Sequence, residues 1–466
     1  MTPSKPAPRA VPARGSTVSL ISLGCPRTLV DSELYLGRLK EVGYQVVSDV
    51  EGSDTVIINT CSFIQDSIKE SVDTVLQAVA LKQQGKVKAV VVAGCLVQRF
   101  KDELVKELPD VDGFLGVDGF GDVETVVARA LQGERPQQIR RRPQVPHQGI
   151  QVTREALTPA HYAYLKISEG CLKGCSFCII PKIKGPLSSR PLEAVLAEAR
   201  QLVEERGTRE LVVVGQDTSD YGIDLYGRPR IAELLGQLAK IGGVRWIRLL
   251  YCHPRGVSQE LIDVIRQEPA VCKYLDMAIE HADDWMLQRM NRGLTQAQIR
   301  DTVARLREAV PGIALRTSVI TGFPGETDAA FDRLLAFLEE VRFERLGAFT
   351  YSREEGSASY GFSGQVPELV ARTRRDRLMR LQQTVSAELN AALVGRVLDV
   401  LIDEPDAEDP TLFHGRTSLD CPEVDNGVFV SSPKALAPGE LLPVRMTDSY
   451  EYDLMGTALE PEPDRA

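Results

Sequence analysis

The run Cys171-Leu172-Lys173-Gly174-Cys175-Ser176-Phe177-Cys178 holds three cysteines at spacings of four and three residues. Three thiolates so spaced can each bind one iron of a cubane and leave the fourth iron free for a small molecule. Clusters that only carry electrons take four cysteines, so a three-cysteine loop points to cluster chemistry on a substrate. S-adenosylmethionine (SAM) is the cofactor that commonly turns such an iron into a radical source. The plainer alternatives are a zinc site or three incidental core thiols. A structural zinc wants four ligands in paired knuckles, and no fourth Cys or His lies close by.

Three further cysteines are marked by what precedes them. The stretches 18–23, 55–59 and 89–92 are largely apolar, as expected for strands of a parallel sheet covered on both faces. Amphipathic stretches over 31–42 and 64–83 lie between them, which is the βαβ alternation of a small doubly wound domain. Each strand is followed within a few residues by a cysteine: Cys25, Cys61 and Cys95. Open α/β sheets bind ligands outside the carboxyl ends of their strands, and three thiols delivered there can converge on one point. The alternative is that each is a small packing residue, as free cysteines often are.

From residue 163 the alternation restarts. Strands are expected over 163–167, 210–214, 246–250, 274–278, 314–320 and 345–350. Helices are expected over 191–206, 231–241, 258–267, 284–292, 295–310 and 328–341. Six βα units fit a partial TIM-type barrel, with the three-cysteine loop after its first strand, on the face where barrel enzymes place their chemistry. Gly215-Gln216-Asp217-Thr218 and Gly322-Phe323-Pro324-Gly325-Glu326-Thr327 follow later strands on the same face. Their glycines either let backbone approach a ligand or simply make the turns. A long amphipathic helix over 367–394 leads out, and its Arg372-Thr373-Arg374-Arg375 cluster reads as a solvated face. Beyond Gly395, short alternating strands over 397–402, 415–418, 427–430, 441–446 and 452–458 suggest a small antiparallel β-barrel resembling the OB class.

The domain reading is therefore a disordered tail over 1–16, an N-terminal doubly wound domain over 17–132 and a linker over 133–151. A barrel over 152–394 and a small β-barrel over 395–466 follow. The linker is rich in Pro and carries Arg140-Arg141-Arg142, read as a solvated basic run. An apolar fraction of 43% with 26% charged residues is that of a globular protein, and no apolar run is long enough to span a bilayer. The first residues lack the apolar core of a secretory signal, and nine cysteines without one argue for metal ligands in a reducing, cytoplasmic compartment. Net charge is −10, but residues 391–466 hold 5 Lys and Arg against 16 Asp and Glu, so the rest of the chain is nearly neutral. An acidic C-terminal module repels nucleic acid and steers basic partners, or merely aids solubility.

Taken in order, the motifs resemble those of the radical-SAM methylthiotransferases along nearly the whole chain. The matching stretches begin with Ser22-Leu23-Gly24-Cys25-Pro26, Asn59-Thr60-Cys61, Ala93-Gly94-Cys95-Leu96 and Ser168-Glu169-Gly170-Cys171. They continue with Cys175-Ser176-Phe177-Cys178-Ile179-Ile180-Pro181-Lys182-Ile183-Lys184-Gly185 and Gln216-Asp217-Thr218-Ser219. Gly322-Phe323-Pro324-Gly325-Glu326-Thr327 and Tyr351-Ser352-Arg353-Glu354-Glu355-Gly356 complete the set. The first and last of these are similar to the branch that modifies a ribosomal protein (RimO-type) rather than the tRNA-adenosine branch. The acidic C-terminal module points the same way.

The resemblance implies an N-terminal methylthiotransferase domain, a radical-SAM barrel and a C-terminal TRAM-like barrel. It implies that Cys171, Cys175 and Cys178 hold one 4Fe-4S cluster, which chelates SAM and, once reduced, cleaves it to a 5′-deoxyadenosyl radical. Cys25, Cys61 and Cys95 would hold a second 4Fe-4S cluster that carries or activates the inserted sulfur, and a second SAM would methylate it. The substrate implied is an aspartate β-carbon of the small-subunit ribosomal protein S-twelve, giving 3-methylthioaspartate. The electron would come from a donor such as a flavodoxin or ferredoxin; no membrane partner is implied, and nucleic acid is not a primary one. The acidic barrel would recognise the basic ribosomal protein. The alternatives are a tRNA methylthiotransferase acting on a modified adenosine and a non-enzymatic metal-binding scaffold.

Several positions depart from the family wording. Asp276-Met277-Ala278-Ile279-Glu280-His281 stands where the family has Pro-Leu-Gln before the His, so Glu280 adds a negative charge at a strand end. Thr28 replaces an Asn near the first cysteine, and Leu172 an often polar residue inside the loop. His281 reads as a structural hydrogen-bonder rather than a catalytic group. Phe177 either lies against an adenine or fills the loop. Cys252, Cys272 and Cys421 match no family role and read as packing residues.

Overall fold

Val, Ile and Ala crowd the strands Thr17–Ser22, Thr55–Thr60 and Ala89–Gly94. In the computed structural model these three lie side by side at the centre of a six-stranded parallel sheet. The structure describes residues 15–140 and 153–459; the expected tail to residue 14, most of the expected linker and residues 460–466 lie outside the described residues. The sheet order is Gln45–Val46, Thr17–Ser22, Thr55–Thr60, Ala89–Gly94, Gly113–Leu115, Gln137–Gln138. The order reverses beside Thr17–Ser22, which puts the topological switch point at that strand's junction with Thr55–Thr60. Every residue of Thr55–Thr60 and Ala89–Gly94 is buried, as continuous apolar strands in a doubly covered sheet must be.

Helices Pro26–Glu41, Gln65–Gln83, Cys95–Phe100, Asp102–Glu107 and Val123–Leu131 connect the strands. The first begins five residues before the amphipathic pattern does, with Pro26 at its N-terminus, where the missing N–H costs nothing. The last three had no sequence expectation, nor had the strand Gly113–Leu115: six to nine residues of helix or three of strand carry too few periods to declare themselves. Gln137–Gln138, inside the stretch expected as linker, pairs with Phe114 and Leu115 as an edge strand.

The described chain divides into two compact units. One comprises the described part of Met1–Leu157 with Glu169–Leu172 and Ile179–Arg190; the other comprises Thr158–Ser168, Lys173–Cys178 and the described part of Pro191–Ala466.

In the second unit six parallel strands follow one another in chain order. Tyr162–Lys166, Glu210–Val214 and Trp246–Leu249 pair in sequence, as do Tyr274–Asp276, Ala314–Thr321 and Arg345–Thr350. The bridge Cys252↔Met277 joins the two triples. Side-chain caps set where the outer helices start. Ser258, Asp283, Thr295 and Thr327 each accept from a backbone amide three residues on, and Thr295 forms a full capping box with Gln298. Helix-facing Leu165, Val213, Ile247, Leu275 and Leu315 meet helix residues such as Leu196, Leu235 and Leu334 in one core.

The helix Glu368–Ala391 packs on Arg345–Thr350 and leads to a closed barrel of five strands. Its basic cluster is not uniformly solvated: Arg374 is buried, donating to Glu326 Oε2 at 2.6 Å and Asp328 Oδ1 at 2.7 Å. Around the barrel run Val397–Pro405, Leu412–Thr417, Val428–Ser431, Leu454–Ala458 and Leu441–Ser449. Four pairings are antiparallel, and Val428–Ser431 with Leu454–Ala458 is parallel. An odd number of strands cannot alternate direction all the way round a closed ring, so one parallel pair is unavoidable.

Candidate functional site

Parallel register brings the first three cysteines to one end of the N-terminal sheet. Ser22 pairs with Asn59, Asn59 with Ala93, and Thr60 with Gly94, so Cys25, Cys61 and Cys95 all leave the carboxyl edge. Gly24, at φ +95°, makes the close approach: a Cβ there would lie 2.7 Å from Cys61 Cβ and 3.1 Å from its Sγ. Cys25 caps the helix Pro26–Glu41, its carbonyl accepting from the Thr28 and Leu29 amides at 2.9 and 3.1 Å. Asn59 fixes that helix against the sheet by donating to Thr28 O at 3.1 Å and Ser32 Oγ at 2.9 Å. Thr60 Oγ1 donates to Ala93 O at 2.6 Å and accepts from the Leu96 amide at 3.3 Å, which sets the start of the helix carrying Cys95. Ser71 and the backbone of Cys61 exchange hydrogen bonds at 3.1 and 2.8 Å.

The electrostatics of the three thiols differ. Burial would raise the Cys25 thiol, yet the Arg27 charge, a 3.3 Å bond from Arg27 Nε and the bonds from Thr28 hold it down to about 7. Burial pushes Cys61 up, with Cys25 adding to the shift. Burial pushes Cys95 up to about 12, Lys184 opposing and Cys61 and Cys25 adding. Cys61 thus feels Cys25, and Cys95 feels both, a repulsion that a cluster's irons would relieve. Lys184, itself buried, stands 3.3 Å from Glu169 and 3.4 Å from Asp31; burial works against its charge, and those two carboxylates hold it protonated. Thr28, one of the departures from family wording, is buried with Oγ1 3.6 Å from Cys25 Sγ.

The three-cysteine loop is held by backbone and by charge. Cys171 donates its amide to Gly185 O at 3.3 Å, and Gly170, at φ +71°, lets the chain pass: a Cβ there would meet Pro186 O at 2.1 Å. Leu172 is 53% exposed, so it adds no packing. In the second unit, the turn after helix Asp284–Arg289 lies along residues 174–176. Asn291 Nδ2 donates to Gly174 O at 2.7 Å, the Ser176 amide to Met290 O at 3.0 Å, and Ser176 Oγ to Arg289 O at 2.9 Å. Arg292 Nη1 donates to Cys175 Sγ at 3.0 Å and Nη2 to Ala278 O at 2.5 Å. From another side the Ser359 amide donates to Ser176 O at 2.8 Å, and Tyr351 Oη meets Ser359 Oγ at 2.8 Å. Phe177, half-buried, packs against the cluster of Met286, Met290 and Phe323.

The strand-end motifs serve this loop. Lys173 reaches Asp217 at 3.4 Å and Asp220 at 2.8 Å. Asp217 is raised by burial and by Asp220, against Lys173, and accepts from Ser219 and from the His253 amide at 3.3 Å. His253 is held down to about 2 by burial and by Arg292, Lys173 and Arg255, so its ring is neutral. His281 accepts the Ala282 and Asp283 amides on Nδ1 at 2.9 Å each, which leaves Nε2 to donate to Glu326 Oε1 at 3.3 Å. It is a structural hydrogen-bonder, as its place at a strand end suggests. Glu280 sits half-buried at φ +70°, its carboxyl pushed up by burial while Arg292 pulls it down. Cys252, Cys272 and Cys421 are buried in packing.

Sequence reasoning named the six cysteines, Glu280 and His281 but passed over Arg292, Arg27 and His253. The available signal for Arg292 was its run Asn291-Arg292-Gly293 closing a helix that lies between barrel strands. No group of three His, Cys, Asp or Glu among the described residues is arranged for a single metal ion. A cubane binds each thiolate through a different iron and does not ask for that convergence.

Comparison with known proteins agrees with these features. Residues 165–338 match the profile of the Radical SAM superfamily, 17–116 that of uncharacterized protein family UPF0004, and 394–459 the TRAM domain. A protein of Anaeromyxobacter sp. (strain Fw109-5) named "Ribosomal protein uS12 methylthiotransferase RimO" is 46% identical over 449 residues, covering 96% of this chain and 94% of its own. A protein of the same name from Geobacter sulfurreducens is 45% identical over 443 residues, 94% of this chain and 98% of its own. Among solved structures, the radical S-adenosylmethionine methyltransferase TsrM of Kitasatospora setae, with tryptophan and a SAM analogue bound, aligns with TM-score 0.53 at 14% identity. That alignment covers 72% of this chain and 73% of TsrM, and at such identity the likeness concerns the fold alone.

Proposed function

The chain belongs to the RimO family of radical-SAM ribosomal protein uS12 methylthiotransferases, and from that membership we propose that it methylthiolates the β-carbon of an aspartate in uS12 using two 4Fe-4S clusters. Cys171, Cys175 and Cys178 hold the cluster that binds SAM; Cys25, Cys61 and Cys95 hold the second. When bound, the clusters and SAM supply the one-electron chemistry that breaks an unactivated C–H bond and the sulfur and methyl group that replace the hydrogen.

The chain's own residues prepare both sites. Arg27 and Lys184 place positive charge beside Cys25 and Cys95, favouring the thiolates that iron requires. Lys173, anchored on Asp217 and Asp220, and the turn 289–292 hold the second unit's part of the three-cysteine loop before any metal arrives. The small barrel offers acidic side chains to a basic protein, although part of its acidity is internal. Asp403 pairs with Arg416, Asp420 with Arg345 and Asp425 with Arg316, which leaves Glu404, Glu408 and Glu440 among the exposed ones. An acidic surface disfavours tRNA as the substrate. No helix among the described residues is long and apolar enough to cross a membrane, and a ribosomal-protein substrate puts the work in the cytoplasm, with an external one-electron donor such as a flavodoxin or ferredoxin.

The observation that carries the two-cluster reading is the delivery of Cys25, Cys61 and Cys95 to one carboxyl edge, with Gly24 in contact with Cys61. The test is anaerobic reconstitution with iron and sulfide counts for the wild type, Cys25→Ala/Cys61→Ala/Cys95→Ala and Cys171→Ala/Cys175→Ala/Cys178→Ala. Deoxyadenosine release and the mass of uS12 are then followed. Two cubanes in the wild type, one in each variant, and a methylthio group on uS12 only with both present are expected. A single cubane in the wild type, untouched by loss of the first three cysteines, sinks the two-cluster reading.

A further inference from the structure

Arg292 is 5% exposed, and its guanidinium is fixed from two sides, Nη1 donating to Cys175 Sγ at 3.0 Å and Nη2 to Ala278 O at 2.5 Å. Among the described residues no carboxylate forms an ion pair with it, the Glu280 carboxyl acting on its charge only at longer range, and its Nε is buried without a hydrogen-bond partner. A buried charge is retained only when it is paired. The other buried guanidiniums of this unit obey that rule with carboxylates: Arg248 on Glu210, Arg345 on Asp420, Arg374 on Glu326 and Arg416 on Asp403. Arg292 instead has a sulfur, Cys175 Sγ, at hydrogen-bond distance.

We propose that Arg292 is a positioning residue that sets the reduction potential of the cluster held by Cys171, Cys175 and Cys178. The proposal rests on the reading of that loop as a ligand set. Reduction adds one negative charge to a cluster, and its potential follows net charge and the hydrogen bonds made to its sulfurs. A fixed cation donating to one ligating sulfur favours the reduced state and so eases entry of the electron that starts the chemistry. The turn 289–292 is itself bonded to residues 174–176, so the guanidinium and the sulfur keep their spacing.

The test is a potentiometric titration of the full reconstituted chain, following the electron paramagnetic resonance signal that SAM perturbs, in wild type, Arg292→Lys, Arg292→Gln and Arg292→Met. The midpoint is expected to fall in the order Arg, Lys, Gln, Met. At fixed poise the ratio of reduced to oxidised cluster drops about tenfold in Arg292→Met, which is about 59 mV for a one-electron couple. A role limited to tethering the loop would change iron occupancy and leave the midpoint of the loaded fraction where it was. Equal midpoints across the series at full iron and sulfide content overturn the proposal. If Arg292→Met holds no cluster, the order of wild type, Lys and Gln decides. No SAM-responsive cubane signal in the wild type overturns the reading of the loop, and this proposal with it.

Discussion

Glu210 and Arg248 face each other on neighbouring barrel strands, both without solvent exposure, with Oε1 2.8 Å from Nε. The second oxygen of Glu210 receives Arg416 of the small barrel at 2.7 Å, and Arg248 also donates to Ser418 O at 2.9 Å. One carboxylate therefore bridges two guanidiniums where the five-stranded barrel joins the larger one, and Asp403 supplies the second negative charge beside Arg416. Glu210→Gln leaves Arg248 without a carboxylate and Arg416 with Asp403 alone, and is expected to destabilise this unit by about 3–5 kcal/mol, read from chemical unfolding. Burial would raise the Glu210 carboxyl, but Arg416 and Arg248 outweigh it and hold it below the usual range. A carboxylate depressed in the folded state stabilises above its unfolded pKa, about 4.3, and loses that contribution as pH falls through the folded value. The gap between wild type and Glu210→Gln is thus expected to hold at neutral pH and to shrink below about pH 4. A gap that widens with acidification contradicts the assignment.

Gly24 is the second position where one atom decides. An alanine there would need φ +95° with a side chain, at about 1–2 kcal/mol, and its Cβ would overlap Cys61 at 2.7 Å. Gly24→Ala is expected to lower iron and sulfide toward the content of Cys25→Ala/Cys61→Ala/Cys95→Ala while sparing the SAM-responsive signal. Full content with Gly24→Ala would separate Cys25 from the site.

Much of this was legible because apolar β-branched runs and capping residues are local signals. The strands at 55–59, 89–92 and 210–214 and the helix Asp328–Val341 stand where their patterns put them. What escaped depends on partners distant in sequence. Gln137–Gln138 has no strand pattern of its own and is ordered by Phe114 and Leu115. Arg374 sits in a run of six polar residues, and only the fold reveals that Glu326 lies beneath it. Arg292 was hidden for the same reason: it stands 117 positions from Cys175, and nothing in the order of residues announces that contact.

Glu280 supplies a test with the opposite sign to Arg292. Its half-buried carboxyl pulls against the Arg292 charge, and its backbone at φ +70° holds it at the strand end through bonds to Ser318 and Ile320. Glu280→Gln keeps shape and backbone but removes the negative charge, so the guanidinium acts on Cys175 less opposed. The midpoint of the SAM-responsive cluster is expected to rise, and stability to change by less than about 0.5 kcal/mol, as for substitutions away from a buried pair. A midpoint that falls would mean the two charges do not share one site.

Recognition of a basic protein can be tested on the hairpin between strands Val397–Pro405 and Leu412–Thr417. Not every carboxylate there is free to be exchanged. Asp406 accepts from the Glu408 and Asp409 amides at 2.9 Å each and from His414, and Asp409 accepts from Thr411, so both hold the turn. Glu404 and Glu408 are exposed. Glu404→Lys/Glu408→Lys reverses two charges and leaves the turn intact. Electrostatic steering acts on encounter and fades with salt. KM for uS12 is therefore expected to rise about tenfold at low ionic strength, with kcat and both cluster contents unchanged and the difference closing as salt is added. An unchanged KM at low salt would remove the small barrel from substrate recognition and leave its acidity to solubility.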